Sequence, residues 1–173
     1  LGCEMLYYSG IGNSEMLEEF CLNDSKFLLL ELTDEVIDKK LFEDLEKISE
    51  NSPVIPIIAH IERYHKARNY KKLLKFVAEK KIPIQINATS VLLPAFKKTI
   101  KKLLSIDTVC VLASDSHSMS TRPPFIEKAL LRLKSDNKTK DKVVKLILVD
   151  TIKIGTIRSL SLEEVELVTR LTA

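Results

Sequence analysis

The sequence VIPIIAHIERYHKARNYKKLLKFVAEKKIPIQIN, residues 54–87, contains two short apolar runs separated by a segment of helical periodicity. The runs Val54–His60 and Ile82–Asn87 are rich in β-branched residues, which is typical of buried strands. Between them, His65–Lys80 repeats apolar residues at three- and four-residue spacing, which predicts a helix. Strand, helix and strand in this order form the repeating unit of a parallel sheet. This stretch therefore predicts the α/β class.

The same alternation of strands and helices continues on both sides of this unit. Further strands are predicted at Lys26–Leu32 and Thr108–Ser114, and the tail of an earlier strand is predicted to end near Glu4. Capping residues, proline positions and periodicity predict further helices at Ser14–Leu22, Asp34–Glu50, Ser90–Leu104 and Pro124–Lys134, and a terminal helix that starts with the Ser161–Glu164 capping box and ends near Leu171. The polar segment Ser135–Lys142 predicts a surface loop. We expect residues 1–173 to form a single domain.

The composition indicates a globular protein. Of the 173 residues, 45% are hydrophobic, and no apolar run approaches the roughly 20 residues that cross a bilayer, so no membrane span is expected. A secretory signal pattern is absent and the three cysteines lack CxxC spacing, so we expect reduced thiols and a cytoplasmic location. Residues 1–50 hold 13 acidic and 4 basic side chains, against 11 and 23 in the remainder. No nucleic-acid-binding motif accompanies the basic part, so we expect its lysines to solvate helices and predict no nucleic-acid partner.

Polar residues stand where the predicted strands end. Val54–His60 ends in His60, the next strand ends in Asn87, and the last strand leads directly into Asp115 and His117. The carboxyl ends of parallel strands meet at one rim, where functional groups gather. A carboxylate and imidazoles suit zinc, manganese or iron. These residues therefore suit a metal site at this rim, and the alternative is that Asp115 and His117 are ordinary polar residues of the surface.

Arg63 follows one of these strand ends by a few residues. Its guanidinium offers a planar pair of donors that fits two phosphate oxygens. The alternative is structural: His60 is then an ordinary core histidine, and Arg63 pairs with a neighbouring glutamate. Residue type and spacing leave both interpretations open.

Four segments together resemble a known family. They are Gly2-Cys3-Glu4, Ala59-His60-Ile61-Glu62-Arg63-Tyr64, Gln85-Ile86-Asn87-Ala88-Thr89-Ser90, and Ala113-Ser114-Asp115-Ser116-His117 with Arg122-Pro123-Pro124. In order and spacing they are similar to the motifs of the manganese-dependent tyrosine phosphatases of capsular polysaccharide operons. These enzymes belong to the polymerase-and-histidinol-phosphatase (PHP) class of metal-dependent phosphoesterases. The resemblance extends from Gly2 to about Leu133.

The resemblance implies a site and a reaction. The metal ligands would be Glu4, His60, Asp115 and His117, and the substrate phosphate would be held by Arg63 and Arg122. The implied cofactor is Mn²⁺, with Fe, Zn or Mg as alternatives, in a cluster of up to three ions. The implied reaction is hydrolysis of a phosphomonoester, namely phosphotyrosine on a protein such as a capsule-operon tyrosine kinase. The implied fold is a distorted PHP-type (β/α)7 barrel of parallel strands.

Two departures from the family pattern change these expectations. Ile61 stands where the family usually has proline, and the chain contains no His-x-His pair, which the family carries on an N-terminal strand. We therefore expect the C-terminal part of the barrel, lacking its N-terminal strands, with little or no activity and a tendency to self-associate through open edges. Two alternatives stay open: a small-molecule phosphatase resembling histidinol phosphatase, and a non-catalytic remnant that acts as a binding module.

Overall fold

The computed structural model describes residues 3–23, 25–33, 37–115, 125–135 and 146–149. Its centre is a sheet of six parallel strands that lie side by side in chain order. The strands are β1 (Glu4–Leu6), β2 (Phe27–Glu31), β3 (Ile55–Ile58), β4 (Ile84–Asn87), β5 (Cys110–Ala113) and β6 (Leu146–Val149). The α/β class and the parallel sheet are confirmed.

Helices and single helical turns connect the strands. The helices are α1 (Lys39–Asn51), α2 (Tyr70–Glu79), α3 (Ala88–Leu92), α4 (Lys97–Leu103) and α5 (Ile126–Lys134), and 3-10 turns lie at Ile11–Asn13, Leu17–Phe20, Ile61–Lys66 and Pro94–Phe96. Because crossovers between parallel strands are right-handed, strands in simple chain order place their helices on one face of the sheet. Within the described ranges, no helix combines the length and the apolar character that a membrane crossing requires.

The main core lies between the sheet and its helices. Alternate strand residues such as Leu28, Leu30 and Ile84 contribute to it and are completely buried. Successive strand residues point to opposite faces, so Ile57 and Val111 are buried on the other face, outside this cluster. Burial of each such side chain stabilises the fold by about 1.5–3 kcal/mol. Both faces of the central strands are therefore covered, as is typical of parallel sheets.

A buried carboxylate joins α1 to the segment that follows β1. Asp44 is fully buried, and its side chain accepts hydrogen bonds from the Tyr7 hydroxyl (3.0 Å), the Gly10 amide (2.8 Å) and the Lys40 ammonium (2.8 Å). Burial alone would raise the pKa of Asp44, but these hydrogen bonds outweigh it and hold the pKa below its usual value. At Gly12 a Cβ atom would lie 2.7 Å from the Asp44 carbonyl oxygen, so only glycine permits this approach.

The first elements differ from the sequence-based prediction. β1 begins at Glu4, whereas the strand was predicted to end there. The predicted helix at Ser14–Leu22 is wrong: two 3-10 turns surround an extended Ser14, whose φ of −75° and ψ of 130° interrupt helical geometry. As the first residue of β1, Glu4 pairs with Leu29 of the neighbouring strand β2.

Two helix starts also differ, and capping explains both. Asp38 caps α1 by accepting from the Leu41 amide at 3.1 Å, whereas the predicted cap, Asp34, lies outside the described residues. The predicted helix at Ser90–Leu104 instead starts at Ala88, because Asn87 is the cap. It divides into α3 and α4 at Pro94, which has no amide hydrogen to continue the helical ladder.

The remaining differences concern the ends of elements and the last part of the chain. The segment predicted as one helix at His65–Lys80 is a 3-10 turn followed by α2. The helix predicted from Pro124 begins at Ile126, and β6 was not predicted at all. Residues 136–142 of the predicted loop, and the predicted terminal helix, lie outside the described residues.

Candidate metal centre

Three acidic or imidazole side chains converge on one point of the sheet. His60, two residues beyond β3, places Nε2 3.0 Å from Oε1 of Glu4 and 3.3 Å from Oε1 of Glu31. Glu4 opens β1 and Glu31 is the last residue of β2. One donor atom from each residue lies within 4.8 Å of the other two. Three neighbouring strands therefore bring two carboxylates and one imidazole together.

This donor set fits a divalent metal ion. The imidazole is 3% exposed, while the carboxylates of Glu4 and Glu31 are 33% and 38% exposed, so the group opens to solvent on its acidic side. Two carboxylates in close contact repel each other, and a cation between them removes that repulsion. Oxygen and imidazole nitrogen donors suit zinc, manganese and iron. In the part of the chain that the structure describes, this is the only such group.

Tyr64 holds the far side of the His60 ring. Its hydroxyl oxygen lies 3.2 Å from Nδ1 of His60 and accepts a hydrogen bond from the Leu32 amide at 3.0 Å. Burial raises the pKa of Tyr64, so the hydroxyl stays protonated. Because Nδ1 of His60 lies beside the tyrosine, Nε2 faces the two carboxylates. Metal-binding histidines are oriented in the same way, by a partner at the nitrogen that does not bind the metal. One hydroxyl therefore contacts the ring of one candidate ligand and the backbone directly after a second, Glu31.

The backbone at His60 is also constrained. His60 has a φ of +30° and a ψ of 50°, in the left-handed region that residues with a Cβ seldom adopt. Its amide donates to Oε1 of Gln85, a buried side chain of β4. Asp115, beyond β5, has a φ of +48°. Strained residues that persist in a structure cluster at functional sites.

A second group lies at the ends of β4 and β5. Arg63 donates through Nη2 to Oδ2 of Asp115, and Nδ2 of Asn87 donates to the same oxygen at 2.8 Å. The Asp115 side chain is 9% exposed, whereas that of Arg63 is 34% exposed. The carboxylate is thus held inside the protein, and the guanidinium reaches the surface.

Glu62 connects the turn that carries Arg63 to β4. It is completely buried, and its Oε1 accepts from the Asn87 amide at 3.2 Å. Burial raises the pKa of Glu62, and hydrogen bonds from Ser90 and Asn87 oppose this rise only in part. No role for Glu62 was predicted from the sequence, although its place between the candidate site residues His60 and Arg63 was a signal for a role at the site.

Comparison with known proteins identifies the family. The sequence profile described as capsular polysaccharide synthesis, CpsB/CapC, matches residues 1–154. The chain belongs to the CpsB/CapC family. Tyrosine-protein phosphatase CpsB of Streptococcus pneumoniae is 31% identical over 137 residues, which are 74% of this chain and 56% of that protein. Tyrosine-protein phosphatase YwqE of Bacillus subtilis is 32% identical over 122 residues, or 66% of this chain and 46% of YwqE.

A solved structure has the same fold as this CpsB/CapC chain. It comes from crystal structures of YwqE from Bacillus subtilis and CpsB from Streptococcus pneumoniae, described as unique metal-dependent tyrosine phosphatases. The TM-score is 0.67 at 22% identity, covering 83% of this chain and 59% of that one. The chain spans about half the length of the curated relatives it matches. The resemblance seen in the sequence motifs is confirmed at the level of the family.

The structure brings some of the predicted site residues of this CpsB/CapC chain together. Glu4 and His60 meet, whereas Asp115 contacts Arg63 and Asn87 and is not one of the three clustered donors. Arg63 does form an ion pair, but with this aspartate rather than with a neighbouring glutamate.

Other site predictions are untested or incomplete. His117 and Arg122 lie outside the described residues. Glu31 was not predicted, although the signal was present: an apolar strand ends in a carboxylate there, just as the neighbouring strand leads to His60.

Proposed function

We propose that this CpsB/CapC chain forms part of a metal-dependent phosphatase that hydrolyses phosphotyrosine in a protein, such as a tyrosine kinase of capsule synthesis. The observation that carries the proposal is the convergence of Glu4, Glu31 and His60, whose donor atoms lie within 4.8 Å of one another. The CpsB and YwqE relatives are tyrosine-protein phosphatases, and the solved structures are described as metal-dependent.

The three converging side chains would hold the metal, for which Mn²⁺ is our choice, and Asp115 with His117 would supply further ligands to a cluster of up to three ions. Divalent ions at phosphatase sites activate water and neutralise charge on the phosphoryl oxygens. The residues of this chain prepare the site for that chemistry. Tyr64 keeps Nε2 of His60 directed at the carboxylates.

Arg63 would bind the phosphate together with Arg122. The Arg63 guanidinium is partly exposed and anchored by Asp115 at one nitrogen. A guanidinium has five N–H donors, so an anchored arginine can still donate to phosphate oxygens. Anchoring also reduces the side-chain entropy that is lost when the substrate binds.

The sheet supports a barrel architecture. Six parallel strands in chain order, with both faces of the central strands buried, are the arrangement from which a β/α barrel is built. We propose that this single domain belongs to a distorted PHP-type (β/α)7 barrel.

Metal binding and substrate choice test the function. Calorimetric titration with Mn²⁺ should show binding to the wild-type chain and no binding to His60→Ala. Phosphate release should be measured with a phosphotyrosine peptide and with histidinol phosphate, in the presence of Mn²⁺ and after chelation. We expect little or no turnover of the peptide by this chain, and any turnover should depend on both Mn²⁺ and His60.

Each contrary result has a distinct meaning. Faster turnover of histidinol phosphate would replace the protein substrate with a small molecule. Mn²⁺ binding without turnover by this chain would agree with the low activity expected of an incomplete barrel, whereas the same result for a protein of the relatives' full length would favour a binding module instead of an enzyme. Absence of Mn²⁺ binding, or equal binding to His60→Ala, would overturn the metal site itself.

A further inference from the structure

Asn87 uses both ends of its side-chain amide. It is the last residue of β4 and is 4% exposed. Its Oδ1 accepts from the Thr89 amide at 3.0 Å and so caps α3, while its Nδ2 donates to Oδ2 of Asp115 at 2.8 Å. An amide oxygen that faces an N–H donor fixes which end is nitrogen. The cap therefore determines the direction in which Asn87 donates.

The position of Asn87 lets it connect three strand ends. In the sheet it pairs with Ala113, two residues before Asp115. The backbone amide of Asn87 donates to Oε1 of Glu62, which lies in the turn after β3 that also carries Arg63. Arg63 and Asn87 meet on the same oxygen of Asp115. Asn87 thus contacts both the carboxylate and the segment that presents the arginine.

We propose that Asn87 is a positioning residue: its amide, locked by the α3 cap, sets the orientation of the Asp115 carboxylate and, through it, of the Arg63 guanidinium. An aspartate carboxylate turns about two side-chain bonds, whereas the capped amide cannot turn without losing its bond to Thr89. The consequence for metal and phosphate binding rests on the proposed function.

The cap and the donor can be separated by substitution. Serine at position 87 keeps an oxygen that caps a helix but is too short to reach Asp115, whereas alanine removes both functions. Both variants lose the bond to Asp115 and should melt below wild type, and Asn87→Ala, which also loses the cap, should melt roughly 2–4 °C below Asn87→Ser. Asp38→Ala, which removes the cap of α1, is the matched control for loss of a cap alone.

Two measurements report on the orientation of Arg63 and on Mn²⁺ binding. Proton–nitrogen NMR spectra of the arginine side chains in metal-free protein report on Arg63, which is assigned with Arg63→Lys. We expect its guanidinium signals to shift and broaden in Asn87→Ser and Asn87→Ala, and to stay unchanged in Asp38→Ala. Calorimetry with Mn²⁺ should show affinity reduced by about 10- to 100-fold in both Asn87 variants, the range expected for a partner that orients a ligand.

A double-mutant cycle tests the route. If Asn87 acts through Asp115, Asn87→Ser should have no further effect on Arg63 signals or Mn²⁺ affinity in an Asp115→Asn background. An effect of undiminished size there, or wild-type Arg63 signals in Asn87→Ser, would overturn the proposal. Failure of the proposed function looks different: wild-type chain and His60→Ala would then both fail to bind Mn²⁺, while the Arg63 signals would still test the role of Asn87.

Discussion

Removal of one hydroxyl group should weaken metal binding by more than tenfold. The hydroxyl of Tyr64 lies between Nδ1 of His60, at 3.2 Å, and the amide of Leu32, at 3.0 Å. Tyr64→Phe keeps the ring and its packing but removes both contacts. The His60 ring then loses the partner that orients it, and Leu32, next to Glu31, loses its acceptor.

The expected magnitude follows from these two contacts. Loss of a side chain that orients a metal-binding histidine typically costs 10- to 100-fold in affinity, or about 1.4–2.7 kcal/mol. The Leu32 amide is left buried without an acceptor, which should lower the free energy of unfolding by about 1–3 kcal/mol. Tyr64→Phe should therefore bind Mn²⁺ more weakly and melt at a lower temperature.

Tyr70 provides the matched control. It is 7% exposed, against 4% for Tyr64, and its hydroxyl is buried with no hydrogen-bond partner among the described residues. Tyr70→Phe should leave Mn²⁺ affinity unchanged and should not lower the Tm, because removal of an unsatisfied buried hydroxyl costs nothing. Titration calorimetry measures the Mn²⁺ affinity of both variants, and thermal unfolding of the same preparations measures their Tm. Wild-type Mn²⁺ affinity in Tyr64→Phe would refute the orienting role of the hydroxyl.

Three further changes test the fold and the metal centre. Asp44→Asn should lower the free energy of unfolding by about 1.5–3 kcal/mol. The folded-state pKa of Asp44 lies below its unfolded value, which is near 3.9. The ionised Asp44 carboxylate therefore stabilises the fold above the unfolded pKa, and this stabilisation is lost as pH falls through the folded-state pKa. Urea unfolding from pH 2 to pH 7 should accordingly show a flatter acid dependence in this variant, and an equally steep one would contradict the assignment. Gly12→Ala should destabilise by about 1–3 kcal/mol, since the added Cβ meets the Asp44 carbonyl at 2.7 Å; an unchanged midpoint in urea would count against that close contact. Glu31→Gln should reduce Mn²⁺ affinity with little change in Tm, whereas the exposed helix residue Glu79, changed in the same way, should affect neither.

The sequence predicted the sheet better than the helix boundaries. Apolar β-branched runs become buried strands in a parallel sheet, and β2 to β5 lie inside the predicted ranges. Helix starts depend on which of several polar residues caps, and that choice is made by local geometry. Asn87 rather than Ser90 caps α3, and Pro94 then divides a segment whose periodicity was continuous.

The site was predictable where polar residues interrupt apolar strands. His60 and Asp115 stand out for that reason, and the structure places each beside other polar site residues. Glu31 was missed because a single acidic residue after an apolar run is usually a surface residue. The bond from Asn87 to Asp115 joins residues 28 positions apart, so it depends on strand register, which sequence periodicity does not specify.

The left-handed backbone at His60 and Asp115, with φ of +30° and +48°, sets a limit on how this protein can be stabilised. A residue with a Cβ in this region costs roughly 1–2 kcal/mol relative to glycine. An engineering programme guided by backbone preference alone would select His60→Gly and Asp115→Gly, and each change would delete a candidate ligand. Thermal stability and the proposed metal binding therefore compete at the ends of β3 and β5, and thermostable variants have to obtain their gains elsewhere in the chain.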